Sequence, residues 1–277
     1  MKVAVAQLAP GLDRTQNIQR TVDVIEEAAR QAVDLIVLPE MCTSPYLLKD
    51  AVLDEWAEAI PDGTALQCWL RETQKHSLYV VAGILERAGD KYFNSAVTIG
   101  PQGLMAHYRK VHLFSWERHR LEAGDNGFLT LDVHGTKTGI LVCYDLRFVE
   151  VVRLLALAGV QMLCVPTTWT DVGKPQPLDK HSWCAAAHLA VGHAYANKMF
   201  MLCAGRVGQE GTVRYLGNSL IVGSNGQTLA GPATPEAETI LVAEIDPSQA
   251  NNKHIGQDND VFTDRRTDLY TLKENSE

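Results

Sequence analysis

Glu40, Lys110 and Cys143 each close an apolar segment of the sequence: VDLIVLPE, LMAHYRK and TGILVC. The ends of strands are where α/β proteins place ligands. A thiol there can attack a carbonyl carbon, a carboxylate can take the thiol proton, and an ammonium can stabilise the resulting oxyanion. The turn that follows Cys143, and the cation at Lys110, are expected to lower the thiol pKa. The backbone N–H of Tyr144 is a second expected oxyanion donor. Taken singly, each residue has a plainer reading. Cys143 could be a buried core thiol, Glu40 half of a structural ion pair, and Lys110 a solvated lysine beside Arg109. Together they make a site for cleaving an amide through a thioester, with Glu40 then activating the hydrolytic water.

The elements that must position these residues alternate along the chain. Lys2–Gln7 and Val33–Glu40 read as strands, the latter apolar without alternation and so buried on both faces. Between them Ile18, Val22, Ile25 and Ala29 mark one face of a helix near Asn17–Ala32, with Thr15 or Asn17 as its cap. A second helix opens at Asp62 or Thr64, and the strand Leu78–Leu85 follows. YFNSAVTI and LMAHYRKV form a hairpin about Pro101-Gln102-Gly103. Thr138–Asp145, the helix Val149–Gly159, the strand Gln161–Trp169 and a long helix through Trp183, Ala187, Ala190 and Ala194 lead to a β-rich close. This order predicts an α/β fold in one domain spanning residues 1–277.

Composition narrows the function classes. With 46% apolar and 21% charged residues the chain is an ordinary globular one, not disordered or fibrous. Lys and Arg total 25 against 33 Asp and Glu, a net charge of −8 that argues against nucleic acid or an anionic membrane as partner. No apolar run approaches the ~20 residues of a membrane span, and the first residues read as a strand, so a cytoplasmic location is expected. Cys42, Cys68, Cys143, Cys164, Cys184 and Cys203 are dispersed without a CxxC pair, so neither disulfides nor a zinc site is expected. No metal or organic cofactor is expected, since the attacking group and the oxyanion donors all come from the chain.

The segments VLPEM, YRKVHLF and GILVCYDLRF resemble those of the nitrilase, or carbon–nitrogen hydrolase, superfamily. VAVAQLAP, YFNSAV, CVPTTW, GNSLIVGSNG and DRRTDLY extend the resemblance over nearly the whole chain. It implies a Glu-Lys-Cys triad at Glu40, Lys110 and Cys143, and a four-layer α-β-β-α sandwich of two mixed sheets flanked by helices. It also implies a second glutamate in the loop SWERHRLEAGD, placed at Glu117, with Glu122 the competing position. A salt bridge to Arg118 or Arg120 is the plainer role for Glu117. Homodimers or larger homo-oligomers are implied, pairing through the helix Phe148–Gly159 and the helix near Trp183–Ala196, with the tail from about residue 250 reaching the partner.

Four residues after Cys143, Arg147 is placed to hold a substrate carboxylate, unless it bonds Glu150 or a backbone carbonyl. Tyr46 and Trp169 are further candidates for the pocket wall, against an ordinary role as aromatic core. The implied substrates are small amides, among them ω-amides of dicarboxylic acids, or N-carbamoyl amino acids and amines; nitriles rank lower. A catalytically silent scaffold and a soluble acyltransferase are the competing classes. Two departures from the family pattern bear on specificity. Val149 stands where proline is usual after Arg-Phe, and HAYAN, with His193, Tyr195 and Asn197, replaces an Arg-Ala-x-Glu-Asn run.

Overall fold

The computed structural model describes residues 1–49, 52–172 and 177–270. The first half of the chain forms β1 (Lys2–Gln7), α1 (Arg14–Arg30), β2 (Leu35–Val37), the single turn α2 (Leu53–Trp56), α3 (Thr64–His76), β3 (Tyr79–Ala88), β4 (Lys91–Gly100) and β5 (Gly103–Arg109). The second half forms β6 (Thr130–Val133), β7 (Thr136–Ile140), α4 (Val149–Leu157), β8 (Met162–Pro166), α5 (Ala185–Asn197) and β9 (Phe200–Ala204). A hairpin of β10 (Val207–Glu210) and β11 (Val213–Leu216), then β12 (Leu220–Val222), β13 (Thr228–Ala230) and β14 (Thr239–Glu244), complete the main elements.

Two six-stranded mixed sheets run in the orders β14-β1-β2-β3-β4-β5 and β13-β12-β9-β8-β7-β6. In each, three central strands are parallel and the flanking ones antiparallel. Successive side chains on a strand point to opposite faces. Val3, Val5, Leu35, Val37 and Val81 therefore meet Ile140, Met162, Cys164 and Leu202 in a core shared by the two sheets. Their neighbours Ala4, Ala6, Ile36, Val80 and Ala82 pack on Ile18 and Ile25 of α1 and Leu66 and Trp69 of α3. Helices α4 and α5 cover the other sheet through Val152, Leu155, Ala187, Ala190 and Ala194. The layers are thus α-β-β-α. Burial on both faces is why β2 and β8 read as uninterrupted apolar runs.

Several boundaries differ from expectation. The first helix starts earlier and is capped by Asp13, whose carboxylate accepts from Gln16 N–H at 3.0 Å; Asn17 instead ties Gly11 to Thr43. β7 stops at Ile140, and a short 3₁₀ turn, Cys143–Arg147, separates it from α4. Helix α5 starts at Ala185 rather than Trp183. The stretch RYLGNSLIVGSNGQTLA divides into β11, β12 and β13. All six cysteines are free thiols, five of them buried. Along α4 and α5, Val149, Leu154, Leu157 and Tyr195 remain exposed. No helix among the described residues is long and apolar enough to cross a membrane.

One glycine sets how closely the Glu40 loop can approach the sheet. After β2 ends, the chain keeps pairing with β3 through Leu38 N–H to Val81 O (2.8 Å), Gly83 N–H to Pro39 O (3.1 Å) and Cys42 N–H to Gly83 O (3.0 Å). A Cβ on Gly83 would lie 2.5 Å from Glu40 Cα and 2.7 Å from Pro39 O, both rigid backbone. We therefore expect Gly83→Ala to destabilise the fold by about 1–3 kcal/mol in denaturant titration, as overpacking does. Unchanged stability would show that the Glu40 loop is not clamped there.

Candidate active site

Glu40 sits three residues beyond β2, Lys110 directly after β5, Glu117 in a 3₁₀ turn (Ser115–His119) and Cys143 at the start of the turn after β7. The structure brings the first three into direct contact. Lys110 Nζ donates to Glu40 Oε1 at 2.7 Å and to Glu117 Oε2 and Oε1 at 2.9 and 3.0 Å. All three side chains are fully buried. Asn94, on β4, donates through Nδ2 to Glu40 Oε1 and to Glu117 Oε1, both at 2.7 Å. Glu117 also accepts from Phe114 N–H at 2.7 Å and from the Tyr46 hydroxyl at 3.1 Å.

Two features of this cluster matter chemically. Glu117 accepts from Lys110, Asn94, Tyr46 and Phe114 N–H, so both its oxygens are engaged within this chain. Glu40 is asymmetric: Oε1 carries two hydrogen bonds, whereas Oε2 is buried with no partner among the described residues. A buried unpaired carboxylate oxygen is costly and marks a place where a proton or ligand is received.

The charges set the protonation of the site. Burial opposes the charge on Lys110, but Glu117 and Glu40 outweigh it and raise its pKa, so it stays an ammonium. Burial and the neighbouring Glu40 push Glu117 up, against the pull of Lys110. Two carboxylates around one ammonium leave a net negative charge beside the sulfur. Cys143 accordingly has its thiol pKa pushed well up, first by burial and then by Glu40, with Lys110 and the Thr168 N–H opposing. The sequence expectation of a lowered thiol pKa is corrected here. The turn after Cys143 is only a 3₁₀ segment, too short to present a full helix dipole, and the pull of Lys110 is outweighed by burial and Glu40.

Cys143 is 8% exposed and opens on a cavity of about 250 Å³. Its sulfur lies 3.4 Å from Thr168 N. Its φ of +46° puts a non-glycine residue in the left-handed region, a strain tolerated only where the surroundings enforce it. Asp145 does so. It accepts from Val142 N–H (3.0 Å), Tyr108 OH (2.8 Å) and His112 N–H (2.9 Å), and His112 Nδ1 lies 2.8 Å away. This ties the nucleophile turn to the segment leading out of Lys110. His193 braces the turn from behind through Leu146 O at 2.9 Å, Asn197 bonds His193 O, and Tyr195 points outward.

Tyr144, Arg147, Thr168 and Trp169 line the cavity with Phe114 and Leu189. Arg147 is exposed and, among the described residues, pairs with neither Glu150 nor a backbone carbonyl. Tyr46, a candidate for the pocket wall, is buried beside the cluster, its hydroxyl 3.1 Å from Glu117 Oε1 and its ring edge-on to Trp116 and Tyr215. Glu122 is exposed, its backbone bonded to Tyr92, and the adjoining Gly124 approaches Arg109 so closely that a Cβ would sit 2.2 Å from its carbonyl oxygen. The plainer alternative for Glu117, a salt bridge to Arg118 or Arg120, is not formed; Glu117 pairs with Lys110.

Sequence reasoning missed Asn94, Asp145 and Thr168, and also Arg206. That buried guanidinium donates to Met41 O (3.1 Å) and Ser44 O (3.0 Å) and pairs with Glu210, which accepts from Tyr46 and Leu47 N–H. Among the described residues one group, Glu26, Glu72 and His76, clusters potential metal ligands, and Lys75 occupies it with its ammonium 2.7 Å from Glu26.

Residues 2–253 match the family model for carbon-nitrogen hydrolases. The chain belongs to the carbon–nitrogen hydrolase, or nitrilase, superfamily. Carbon–nitrogen hydrolases similar to it include a nitrilase of Pyrococcus abyssi, 34% identical over 98% of this chain and 99% of the relative. A 2-oxoglutaramate amidase of Bacillus subtilis is 33% identical over 92% of this chain and 93% of its own, and human omega-amidase NIT2 is 30% identical over 98% and 97%. Among solved carbon–nitrogen hydrolase structures, Saccharomyces cerevisiae Nit3 superposes with a TM-score of 0.78 at 27% identity, over 91% of this chain and 92% of the other. An amidase from Nesterenkonia sp. shares the fold at TM-score 0.79 and 24% identity, over 97% and 94%.

A thiol held protonated makes a testable difference. Alkylation of Cys143 by iodoacetamide is expected to keep accelerating as pH rises past the ordinary thiol value of ~8.5. A rate that plateaus near neutral pH would show a preformed thiolate and contradict this charge balance.

Proposed function

We propose that this protein hydrolyses the C–N bond of a small amide through a thioester on Cys143 and releases ammonia. The observation that carries this reading is the unpartnered Glu40 Oε2, in a cluster whose charges act on a cavity-facing thiol. Glu40 takes the thiol proton as sulfur attacks the carbonyl carbon, so no free thiolate need accumulate. The fixed charge of Lys110 and the Tyr144 N–H, at the start of the turn, stabilise the oxyanion. Glu40 returns the proton to the departing nitrogen and ammonia leaves. Glu40 then deprotonates a water that attacks the thioester, the acid departs and the thiol is restored. Every proton passes through one carboxylate, and the chain supplies each group.

For the substrate, the apolar cavity and the unpaired Arg147 favour an amide or N-carbamoyl compound bearing a carboxylate, which a guanidinium can hold in a bidentate pair. The similar 2-oxoglutaramate amidase and omega-amidase support the ω-amide form. The Pyrococcus abyssi relative keeps nitriles as a second reading. The test is intact-protein mass spectrometry after brief exposure to a panel of ω-amides, N-carbamoyl amino acids, aliphatic amides and nitriles, with ammonia assayed in parallel. We expect an acyl adduct on the wild type, and none on Cys143→Ala, with turnover reduced by at least about 10³-fold. A folded Cys143→Ala variant with full turnover would refute the mechanism. Absence of ammonia from every compound would favour a silent scaffold.

We also propose that two copies pair through α4 and α5. The exposed Val149, Leu154, Leu157 and Tyr195 give these helices an apolar outer face. In sedimentation velocity, Leu154→Glu is expected to shift a dimer to monomer; a monomeric wild type would overturn the pairing.

A further inference from the structure

A second depression adjoins the cavity of Cys143. It is a groove of about 540 Å³ lined by Leu113, Phe114, Ser115, Trp116, Arg118, His119 and Tyr144. Phe114 and Tyr144 line both spaces, and their rings pack 5.1 Å apart to form a ledge between them. The inner cavity, at about 250 Å³, falls below the ~300–1,000 Å³ that encloses a drug-sized ligand, so a longer substrate must continue over this ledge.

The charges along that path run against those of the whole chain. Acidic residues outnumber basic ones 33 to 25, yet among the described residues no Asp or Glu lines the cavity or the groove. The charged or chargeable side chains there are Arg147, Arg118 and His119. Arg118 and His119 are exposed, and like Arg147 they make no ion pair or side-chain hydrogen bond within the described chain. Most other arginines are engaged: Arg109 with Glu86, Arg206 with Glu210, Arg14 with Glu58 and Arg153 with Ala196 O. Exposed guanidinium groups beside aromatic walls, with no described carboxylate lining the outer groove, attract and orient an anion there.

We propose that this groove is an outer subsite for a second carboxylate. On the reading of the site given above, the substrate is then an extended amide with a reacting carbamoyl end at Cys143 and an apolar span across the cavity. One carboxylate meets Arg147, and another, beyond the Phe114–Tyr144 ledge, meets Arg118 and His119. Arg118 supplies the charge and planar donors, His119 a ring N–H, and Trp116 a flat wall for the connecting atoms. The mobile end of the substrate thus determines preference without touching the groups that transfer protons.

The experiment compares two probes, one with two carboxylates and one with both masked as methyl esters: N-(4-carbamoylbutanoyl)aspartate and its dimethyl ester, with glutaramate as a short reference. Ammonia release is measured for the wild type, Arg118→Ala and Arg118→Glu. The dianionic probe is expected to be preferred over the diester by the wild type. Arg118→Ala is expected to lower kcat/KM for the dianion about tenfold more than for the diester, mainly through KM, as loss of a charge-assisted contact does. Arg118→Glu should deepen that loss, and added salt should narrow the wild-type preference. Equal losses on dianion and diester, or no wild-type preference between them, would overturn the outer subsite while hydrolysis of glutaramate left the amidase reading standing. Failure of all three compounds to release ammonia would overturn both.

Discussion

The site depends on one ammonium held between two buried carboxylates. Lys110 is fully buried, and its charge is sustained because Glu40 and Glu117 both accept from it. Taking these ions out of water is expensive, and the contact offsets that cost only with good geometry. Asn94 supplies part of that geometry by bridging the two carboxylates. Burial first, and then the charge of Glu40, holds the neighbouring thiol protonated and leaves Glu40 Oε2 as the acceptor for its proton. Lys110 is thus less a free donor than a fixed charge that keeps two acids apart.

The fold serves this arrangement by bringing four separate chain segments to one end of a two-sheet core. Gly83 lets the Glu40 loop lie against β3, and Arg206 and Glu210 hold the far side of that loop. Gly124 brings the following turn against the backbone at Arg109 and Lys110. Asp145 connects the turn of Cys143 to His112, two residues beyond Lys110. Its contacts enforce the left-handed backbone of Cys143. Rigid strands set the distances, and the loops supply the chemistry.

Much of this was legible in the sequence because it is local. Uninterrupted apolar runs marked the buried strands, a 3.6-residue period marked α1, and the resemblance of three motifs implied the grouping of Glu40, Lys110 and Cys143. What was not legible depends on contacts between distant residues. Asn94 sits in a strand whose alternation gives no sign that its amide meets Glu40 and Glu117. Arg206 looks like any strand-end arginine until Met41 and Ser44 present their carbonyls. The contact of the Tyr46 hydroxyl with Glu117 was not legible either, since no sequence pattern says which side chains meet across two loops. The direction of the Cys143 shift was misjudged for a related reason: it depends on the sum of buried charges, and that sum needs the positions of all three.

The account stands on the coupling between Lys110 and its carboxylates, and a double-mutant cycle on folding stability tests it most directly. Lys110→Met should destabilise the protein by about 3–5 kcal/mol, because it strands two buried carboxylates. Adding Glu117→Gln to that variant should recover part of the loss, since one of the stranded charges is removed. Strictly additive effects of the two substitutions would show that the groups do not sustain one another, and would contradict the account.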